Sequence, residues 1–316
     1  MTPPDVAVII PTLRRPDSLE RALRSLFVQT GVANRLREIV VVDNDPLASS
    51  RETVDRLRSA SPVPLVWRHA PRPGVATARN EGLAATMASL IAFLDDDEAA
   101  SPGWLAALLS GQAITGADAV FGPIRGRVPD GTGWTSPYLE RFFGREGPAQ
   151  SQLIDHPYGC GNALLVRATA LPGGAPFNVS ADQTGGEDDA LFAALAGRGG
   201  RFGWAADAWV DEFAPPHRAT LRYALTRAFA YGQGPSQTAA AAHDWPAVAR
   251  WMIIGAVQAA VWSLAALPLI LARDPKRADI LDRAARGLGK LCWMKGFEPR
   301  FYGSQELARL NRERTV

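Results

Sequence analysis

The 316-residue sequence contains only two cysteines, Cys160 and Cys292, and they lie far apart in the chain. Two distant cysteines argue against a disulfide framework and are typical of a protein from a reducing compartment. The N-terminus lacks a basic segment followed by a long apolar core, so no secretory signal is predicted there. The net charge is only +2, which gives no indication of nucleic-acid binding.

Short apolar segments alternate with segments of helical periodicity through the first two thirds of the chain. Strands are predicted at residues 6–10, 38–43, 65–68, 90–94, 117–122 and 160–166, and around Phe202 and Trp209. Helices are predicted at residues 51–59, 74–87, 103–114, 190–196 and 218–231, and after a capping box formed by Asp17 and Glu20. This alternation predicts an α/β fold with a mixed, mostly parallel sheet flanked by helices.

Four acidic residues follow the apolar segment 90–94 without a break: Asp95, Asp96, Asp97 and Glu98. Neighbouring carboxylates repel one another strongly unless a cation lies among them. A helix N-terminus is the alternative, but it accounts for Glu98 better than for three adjacent aspartates. Carboxylates at the end of a parallel strand favour a Mg²⁺ or Mn²⁺ ion that is completed by substrate phosphate oxygens.

Polar residues also follow two other predicted strands, at Thr12 and at Asp43. Since the carboxyl ends of parallel strands lie on one edge of a sheet, these residues are expected to converge with the aspartates. They predict a pocket for a nucleobase and ribose, in which Asp43 accepts a hydrogen bond from a base N–H or a hydroxyl. A simple turn at Asp43 and Asn44 remains the alternative.

Two predicted helices begin with charged residues. The helix after Gly74 carries Arg72 and Arg79 near its start, which favours anion binding, although a capped surface helix has the same pattern. The other helix begins at Glu187-Asp188-Asp189 after two glycines. A carboxylate there is suited to take a proton from a hydroxyl nucleophile, while acids that simply favour a first helical turn are the alternative.

Taken in order, five of these motifs resemble family 2 glycosyltransferases of the GT-A fold, especially bacterial enzymes of exopolysaccharide and succinoglycan synthesis. The motifs are IIPT at 9–12, VVDN at 41–44, RNEG at 79–82, FLDDDE at 93–98 and GEDD at 186–189. The resemblance covers residues 6–231. It implies an inverting, metal-dependent enzyme that moves a sugar from a nucleotide-diphosphate donor to a hydroxyl acceptor on a lipid-linked saccharide.

The resemblance also implies roles for individual residues. The metal ligands would be Asp95 and Asp97, and the catalytic base would be Asp188, next to Glu187. Asp189 stands where family members often have threonine. The donor-binding residues would be Pro11, Thr12, Arg14, Asp43, Arg72, Arg79, Asn80, Asp95 and Asp96.

Three other functions are weighed against this one. A dinucleotide-dependent dehydrogenase needs Gly-x-Gly-x-x-Gly after its first strand, where this chain has PTLRR at residues 11–15. A sugar nucleotidyltransferase shows a glycine-rich, arginine-containing loop at that point, which is absent as well. A non-catalytic nucleotide-sugar binding module has no need for both the aspartate cluster and the Glu187-Asp188 pair.

The last part of the chain has a different composition. Residues 251–272 contain no charged residue, and residues 246–316 carry 12 Lys or Arg against 6 Asp or Glu. We therefore expect a GT-A catalytic domain at residues 1–235 and a helical, basic, membrane-associating region at 236–316. A buried core helix is the alternative for the apolar segment.

The basic residues around that segment constrain its topology. A single span would export them, against the positive-inside rule. We instead expect Gly255 and Pro268 to break the segment into a hairpin or a shallow interfacial helix. An amphipathic segment follows, with Leu281, Leu288, Leu291, Trp293 and Met294 among cations. The protein is then expected at the cytoplasmic face of the bacterial inner membrane.

Overall fold

A computed structural model of the chain describes residues 5–32, 34–183, 185–299 and 301. The strands are β1 Val6–Thr12, β2 Leu36–Asp43, β3 Leu65–His69, β4 Leu90–Phe93, β5 Glu98–Ala100, β6 Ala119–Phe121, β7 Ile124–Arg127, β8 Gln152–Ile154, β9 Ala163–Val166, β10 Phe202–Trp204 and β11 Val210–Phe213. The helices are α1 Pro16–Phe27, α2 Arg51–Leu57, α3 Val75–Ala84, α4 Trp104–Thr115, α5 Ser136–Phe143, α6 Arg167–Ala170, α7 Glu187–Gly197, α8 Leu221–Ala241, α9 Trp245–Leu271 and α10 Arg277–Leu291. Single 3-10 turns cover Arg58–Ala60, Gly133–Thr135, Val179–Gln183 and Lys295–Phe297.

The main sheet has the strand order β3-β2-β1-β4-β9-β6-β10-β8. Strands β3, β2, β1 and β4 run parallel, and β9 is antiparallel to both of its neighbours. A smaller sheet has the order β5-β11-β7. The predicted fold class, a mixed and mostly parallel sheet flanked by helices, is therefore confirmed.

The main sheet is covered on both faces, which explains why β1 is apolar at every position from Val6 to Ile10. Val6, Val8 and Ile10 pack into a core cluster with residues of α1, α2 and α4. Ala7 and Ile9 belong to a second cluster with residues of α3 and α7. A strand buried on both faces loses the alternation of polar and apolar residues that a half-exposed strand shows.

The chain divides into two compact units. Among the described residues, the first comprises residues 5–125, 144–212 and 301, and the second comprises residues 126–143 and 213–299. The division expected at residue 235 lies inside α8, because that helix continues to Ala241. The first unit contains the main sheet, and the second contains helices α5, α8, α9 and α10.

Helices α8, α9 and α10 pack closely in the second unit, and glycines permit that approach. A Cβ atom at Gly255 of α9 would lie 2.6 Å from Lys290 Cβ, and one at Gly287 of α10 would lie 2.6 Å from Ala259 N. The buried face of α9 follows helical spacing, with Val248, Gly255, Ala259 and Ala266.

Two local predictions are wrong. The capping box of Asp17 and Glu20 does not form: Arg15 is the N-cap residue, and Pro16 starts α1 with its fixed φ. Glu20 instead binds Arg24 and Arg56. The apolar segment is not broken into a hairpin either. Helix α9 is continuous, since Gly255 is a packing position and Pro268 lies within its last turn.

Candidate active site

The ends of β1, β2 and the segment after β4 meet at one edge of the main sheet. Pro11 and Thr12 end β1, and Thr12 is paired in register with Asp43 at the end of β2. The Thr12 hydroxyl donates a hydrogen bond of 2.8 Å to Asp96 Oδ2, across 84 residues of sequence. The expected convergence of strand ends is therefore present in the structure.

Arg15 is a cation among the acidic residues, and the sequence analysis missed it. Its Nη1 atom lies 3.0 Å from Asp96 Oδ1 and 2.8 Å from Asp97 Oδ2. The preceding residue, Arg14, has a φ of 57°, so the chain turns sharply between β1 and α1. The available signal was the position of Arg15, three residues after Thr12 at the end of a predicted strand.

Asp95 lies in an environment that disfavours its negative charge. Desolvation by the surrounding protein raises the pKa of Asp95 to about 6. The positive charge of Arg79 opposes this shift, and the negative charge of Asp97 adds to it. The main-chain N–H of Asp95 donates to Glu98 Oε2 at 2.9 Å, and burial raises the pKa of Glu98 as well. The Asp95 side chain still keeps 38% of its surface exposed. Four neighbouring carboxyl groups share the two cations Arg15 and Arg79, so a further cation would relieve their mutual repulsion.

Arg79 connects the aspartates to the beginning of α7. The residue is buried, and its guanidinium donates to Glu187 Oε1 and lies 3.6 Å from Asp95 Oδ1. The rings of Phe93 and Phe177 flank the guanidinium, with centroids 5.8 Å and 5.5 Å from Cζ. One buried cation therefore holds two predicted acidic sites together.

The three acids at the start of α7 lie in different environments. Glu187 is buried and paired with Arg79; burial raises the pKa of Glu187, and the charge of Arg79 opposes that shift. Asp189 is exposed. Asp188 is half-buried, and its Oδ2 atom accepts a hydrogen bond of 3.3 Å from Cys160 N. Of the three acids, Glu187 is held in a buried ion pair and Asp189 is exposed, so Asp188 is the half-buried carboxylate that is not in that ion pair.

The loop before β9 approaches both predicted acidic sites, which the sequence analysis did not foresee. A Cβ atom at Gly161 would lie 2.8 Å from Asp95 Oδ2, and one at Gly159 would lie 3.1 Å from Asp188 Oδ2. Residues 159–161 therefore line the space beside both carboxylates, and their two glycines leave room for the acidic side chains.

Asp43 is fully buried, and its carboxylate is engaged within its own loop. Oδ1 accepts from Asp45 N at 3.0 Å, while Oδ2 accepts from Ser50 N at 2.7 Å and from Ser50 Oγ at 2.6 Å. These bonds shape the turn after β2 and leave no exposed carboxylate surface for a ligand in this structure. Recognition of a nucleobase by Asp43 stays a prediction.

Other predicted donor-binding residues have internal partners or lie apart from the cluster. Arg14 Nε pairs with Asp45 Oδ1 at 2.9 Å. The Asn80 amide donates to Phe177 O at 2.8 Å and accepts from Phe177 N at 3.1 Å. Arg72 is exposed. The structure does not bring these three side chains into the aspartate cluster, and their roles toward a donor stay predictions.

The N-terminus of α3 differs from the expected open anion site. Thr77 N and Thr77 Oγ1 donate to the two carboxylate oxygens of Asp182, at 3.1 Å and 2.6 Å. Asp182 comes from the 3-10 turn at Val179–Gln183, 105 residues further along the chain. A carboxylate of the protein itself therefore takes the position at this helix N-terminus.

Within the described ranges, no three His, Cys, Asp or Glu side chains are arranged to hold a metal ion by themselves. Asp95 and Asp97 nevertheless supply hard oxygen donors in an excess of negative charge, and Mg²⁺ commonly uses only one or two protein carboxylates together with substrate phosphates. The donor set thus fits a cation that is completed by a diphosphate, and it does not fit a closed structural site.

Carboxylates at the strand ends of a mostly parallel sheet suit a ligand whose phosphates need a cation, and the segment after β1 lacks the glycines of a dinucleotide-binding site. The chain belongs to the family described as Glycosyl transferase family 2, which matches residues 7–171. It is therefore a glycosyltransferase, and membership implies a nucleotide-sugar donor and a glycan acceptor.

Three curated relatives show how far the similarity extends. The Succinoglycan biosynthesis protein ExoM of Rhizobium meliloti is 36% identical over 229 residues, which cover 70% of this chain and 71% of that protein. Glycosyltransferase AglE of Haloferax volcanii is 28% identical and covers 41% of this chain and 42% of its own. The Pre-mycofactocin glycosyltransferase of Mycobacterium tuberculosis is 27% identical and covers 91% of this chain and 54% of its own.

Proposed function

We propose that this glycosyltransferase is an inverting, metal-dependent enzyme of exopolysaccharide synthesis that uses a nucleotide-diphospho-sugar and a lipid-linked saccharide acceptor at the cytoplasmic face of the membrane. One observation carries the chemistry: buried Arg79 holds Glu187 and lies 3.6 Å from Asp95. Arg79 is thus a common partner of Asp95, a proposed metal ligand, and of Glu187, the neighbour of the proposed base Asp188. The similarity to the succinoglycan protein supports the choice of pathway.

Asp95 and Asp97 are the residues that would hold Mg²⁺ or Mn²⁺. Such an ion supplies positive charge that stabilises a leaving nucleoside diphosphate. Arg15 is shared between Asp96 and Asp97, so one guanidinium charge is divided between two carboxylates. Thr12 orients Asp96 through its hydroxyl and thereby fixes the segment that carries both ligands.

Asp188 is the residue proposed to act on the acceptor. Its carboxylate takes the proton of the acceptor hydroxyl while that oxygen attacks the anomeric carbon of the donor. The new C–O bond forms as the bond to the diphosphate oxygen breaks, so the configuration inverts in a single displacement and the nucleoside diphosphate leaves. Glu187 does not suit this role because its ion pair with Arg79 occupies it.

The membrane part of the proposal rests on helix α9. Its apolar stretch has a mean hydropathy of 2.0 over an 18-residue window, and only 17% of that window is buried within the protein. By length and composition this helix is able to cross a membrane, and a core helix would be mostly buried. Its exposed face has residues at helical spacing, at Ile253, Val257, Val261, Leu264 and Leu271.

The charges of the second unit support an interfacial position over a span. Arg283 of α10 stacks on Trp262 of α9 at 4.6 Å, and Arg277 lies 3.6 Å from the ring centroid of Trp134. Paired arginine and tryptophan side chains suit the headgroup region of an anionic bilayer. An acceptor carried by a lipid would meet the enzyme at such a surface.

The enzymatic proposal is tested by incubating full-length protein with UDP-, GDP- and dTDP-sugars and measuring nucleoside diphosphate release with Mn²⁺ and with excess chelator. We expect release from at least one donor with Mn²⁺ and its loss with chelator. Asp97→Ala is expected to abolish transfer and weaken donor binding. Undiminished activity in chelator or in Asp97→Ala would contradict metal dependence, and retention of anomeric configuration in the product would contradict inversion.

A further inference from the structure

Three side chains of helix α3 hold the segment that leads into α7. Asn80 binds both main-chain groups of Phe177, Thr77 binds the carboxylate of Asp182, and Arg79 binds Glu187. Because residues three apart lie on the same helix face, Thr77 and Asn80 form two adjacent attachment points. The ion pair of Arg79 provides a third attachment.

Asp182 has an unusual position within this arrangement. Its side chain is buried, and it caps α3 in place of the N-cap residue Gly74, which has no side chain. A Cβ atom at Gly74 would lie 2.0 Å from Asp182 Cγ and 2.3 Å from each carboxylate oxygen. The carboxylate therefore fits into the space that the glycine leaves, and its negative charge is favourable at a helix N-terminus.

Two glycines, Gly185 and Gly186, directly precede α7. Gly185 and Gly186 both have positive φ values, 81° and 85°, a region that glycine reaches at no steric cost. Glycines at this point allow many backbone directions in the absence of further restraint. The contacts of Asp182 with α3 and of Glu187 with Arg79 therefore contribute to the position of Asp188, together with the hydrogen bond from Cys160 N.

We propose that Asp182 is a positioning residue for the reaction: by capping α3 it fixes the start of α7, and with it the Asp188 carboxylate, relative to the aspartate cluster. This inference rests on the proposed function, since it gives Asp188 the role of base. The cap and the proposed base belong to one segment, whereas Asp97 is held by Arg15, and Asp96 by Arg15 and Thr12. Loss of the cap is therefore expected to slow turnover without weakening donor binding.

The test measures full-length protein with the donor that the sugar-nucleotide panel identifies. We expect Asp182→Ala to lower kcat by about 10²-fold, the effect of a misplacement near 1 Å, with KM for the donor unchanged. Gly74→Ala displaces the same carboxylate from the opposite side and is expected to give the same profile. Asp182→Asn keeps one acceptor for Thr77 and should recover part of the lost turnover.

A matched control is Asp118→Ala. Asp118 also uses its carboxylate to hold a main-chain N–H, that of Arg201 at 2.8 Å, and Arg201 belongs neither to α3 nor to α7. We expect it to leave kcat and KM unchanged. A general loss of structure in Asp182→Ala would instead lower the amount of active enzyme and reduce the melting temperature.

Hydrogen–deuterium exchange separates this inference from the proposed function. Asp182→Ala should speed exchange at residues 185–191 and leave β1 and β4 unchanged, whether or not any tested donor is turned over. If residues 185–191 of Asp182→Ala exchange at the wild-type rate, the positioning role is overturned. The same holds if the wild-type enzyme turns over a donor and Asp182→Ala has the same kcat. Absence of turnover in the wild-type protein, with faster exchange in the variant, would overturn the proposed function and keep the fixed position of α7.

Discussion

The main sheet buries its apolar residues, whereas helix α9 exposes many of its own. Strand β1 buries five consecutive apolar residues completely, because helices cover both faces of the sheet. Helix α9 also has a long apolar sequence, but Leu264 is 67% exposed and Ile253 is 66% exposed. Similar composition therefore leads to a protein interior in one unit and to an apolar surface in the other.

The two units also differ in whether their charged residues are buried. The first unit buries Arg79, Glu187, Asp43 and Asp96, and every one of them has a hydrogen-bonding or ionic partner. In the second unit the ion pair of Arg141 with Asp279 is exposed. Buried charge requires partners because its desolvation is costly, so a buried charge network marks the unit in which chemistry is expected.

The largest expected effect concerns that buried network. We predict that Asp188→Asn lowers kcat by about 10²–10⁴-fold, the usual contribution of a general base, because the amide keeps the shape and loses the proton-accepting ability. Donor affinity should hardly change. Steady-state kinetics with the active donor measures both quantities. Asp189→Asn, one residue further on and exposed, serves as the control; if it shows the large loss and Asp188→Asn does not, the base is assigned to the wrong residue.

A large effect on stability is expected for the buried core of the first unit. Leu108 of α4 is fully buried among residues of the core cluster that includes Val6 and Ile10. Leu108→Ala should destabilise this unit by about 2–5 kcal/mol, through lost burial and a residual cavity. Exchange of the β1 amides measures it without assuming that both units unfold together. Ile114→Ala on the same helix, where the side chain is 66% exposed, should change little; equal losses would mean that burial does not set the difference.

Much of the site could be predicted because it depends on strand ends. A parallel sheet places the carboxyl ends of β1, β2 and β4 together, so Thr12, Asp43 and Asp95 could be brought near one another from the order of strands alone. The family resemblance then added Asp188. The partners of these residues could not be predicted, because a contact such as Thr77 with Asp182 spans 105 residues and has no local pattern.

At three positions the structure shows contacts that the sequence did not reveal. A helix N-terminus with basic residues indicates anion binding, and an anion does lie at α3, but it is the carboxylate of Asp182. The sequence predicted that Asp43 binds a nucleobase, and in the structure the Ser50 hydroxyl, seven residues further on, donates a hydrogen bond to its carboxylate. Gly255 indicated a break in α9, and it instead permits the close approach of α10. Of these three, only the break at Gly255 is a wrong prediction, because α9 is continuous; the donor-binding roles of Asp43 and Arg79 stay predictions.

A smaller effect is expected when charge is placed on the apolar face of α9. Val257→Glu with Leu264→Glu should weaken binding to vesicles containing anionic lipid by about tenfold or more, because two exposed apolar side chains no longer enter the bilayer. Vesicle sedimentation of purified full-length protein measures it. Met87→Glu with Ile114→Glu places the same charges on exposed apolar residues of the first unit and should leave binding intact. Equal binding by all three proteins would contradict membrane association through α9.

The smallest expected effect comes from a leucine-to-alanine substitution at an exposed position, and it tests whether burial sets the cost of that substitution. Leu264→Ala removes the same atoms as Leu108→Ala, but from a side chain that is 67% exposed. Without lipid, the free energy of unfolding of the second unit should change by no more than about 0.5 kcal/mol, because few protein contacts are lost. Exchange of the α9 and α10 amides measures it. A loss as large as that of Leu108→Ala would mean that protein covers this face, as a second copy of the chain would do. The apolar surface would then be an interface between subunits, and the lipid-linked acceptor would lose its structural support.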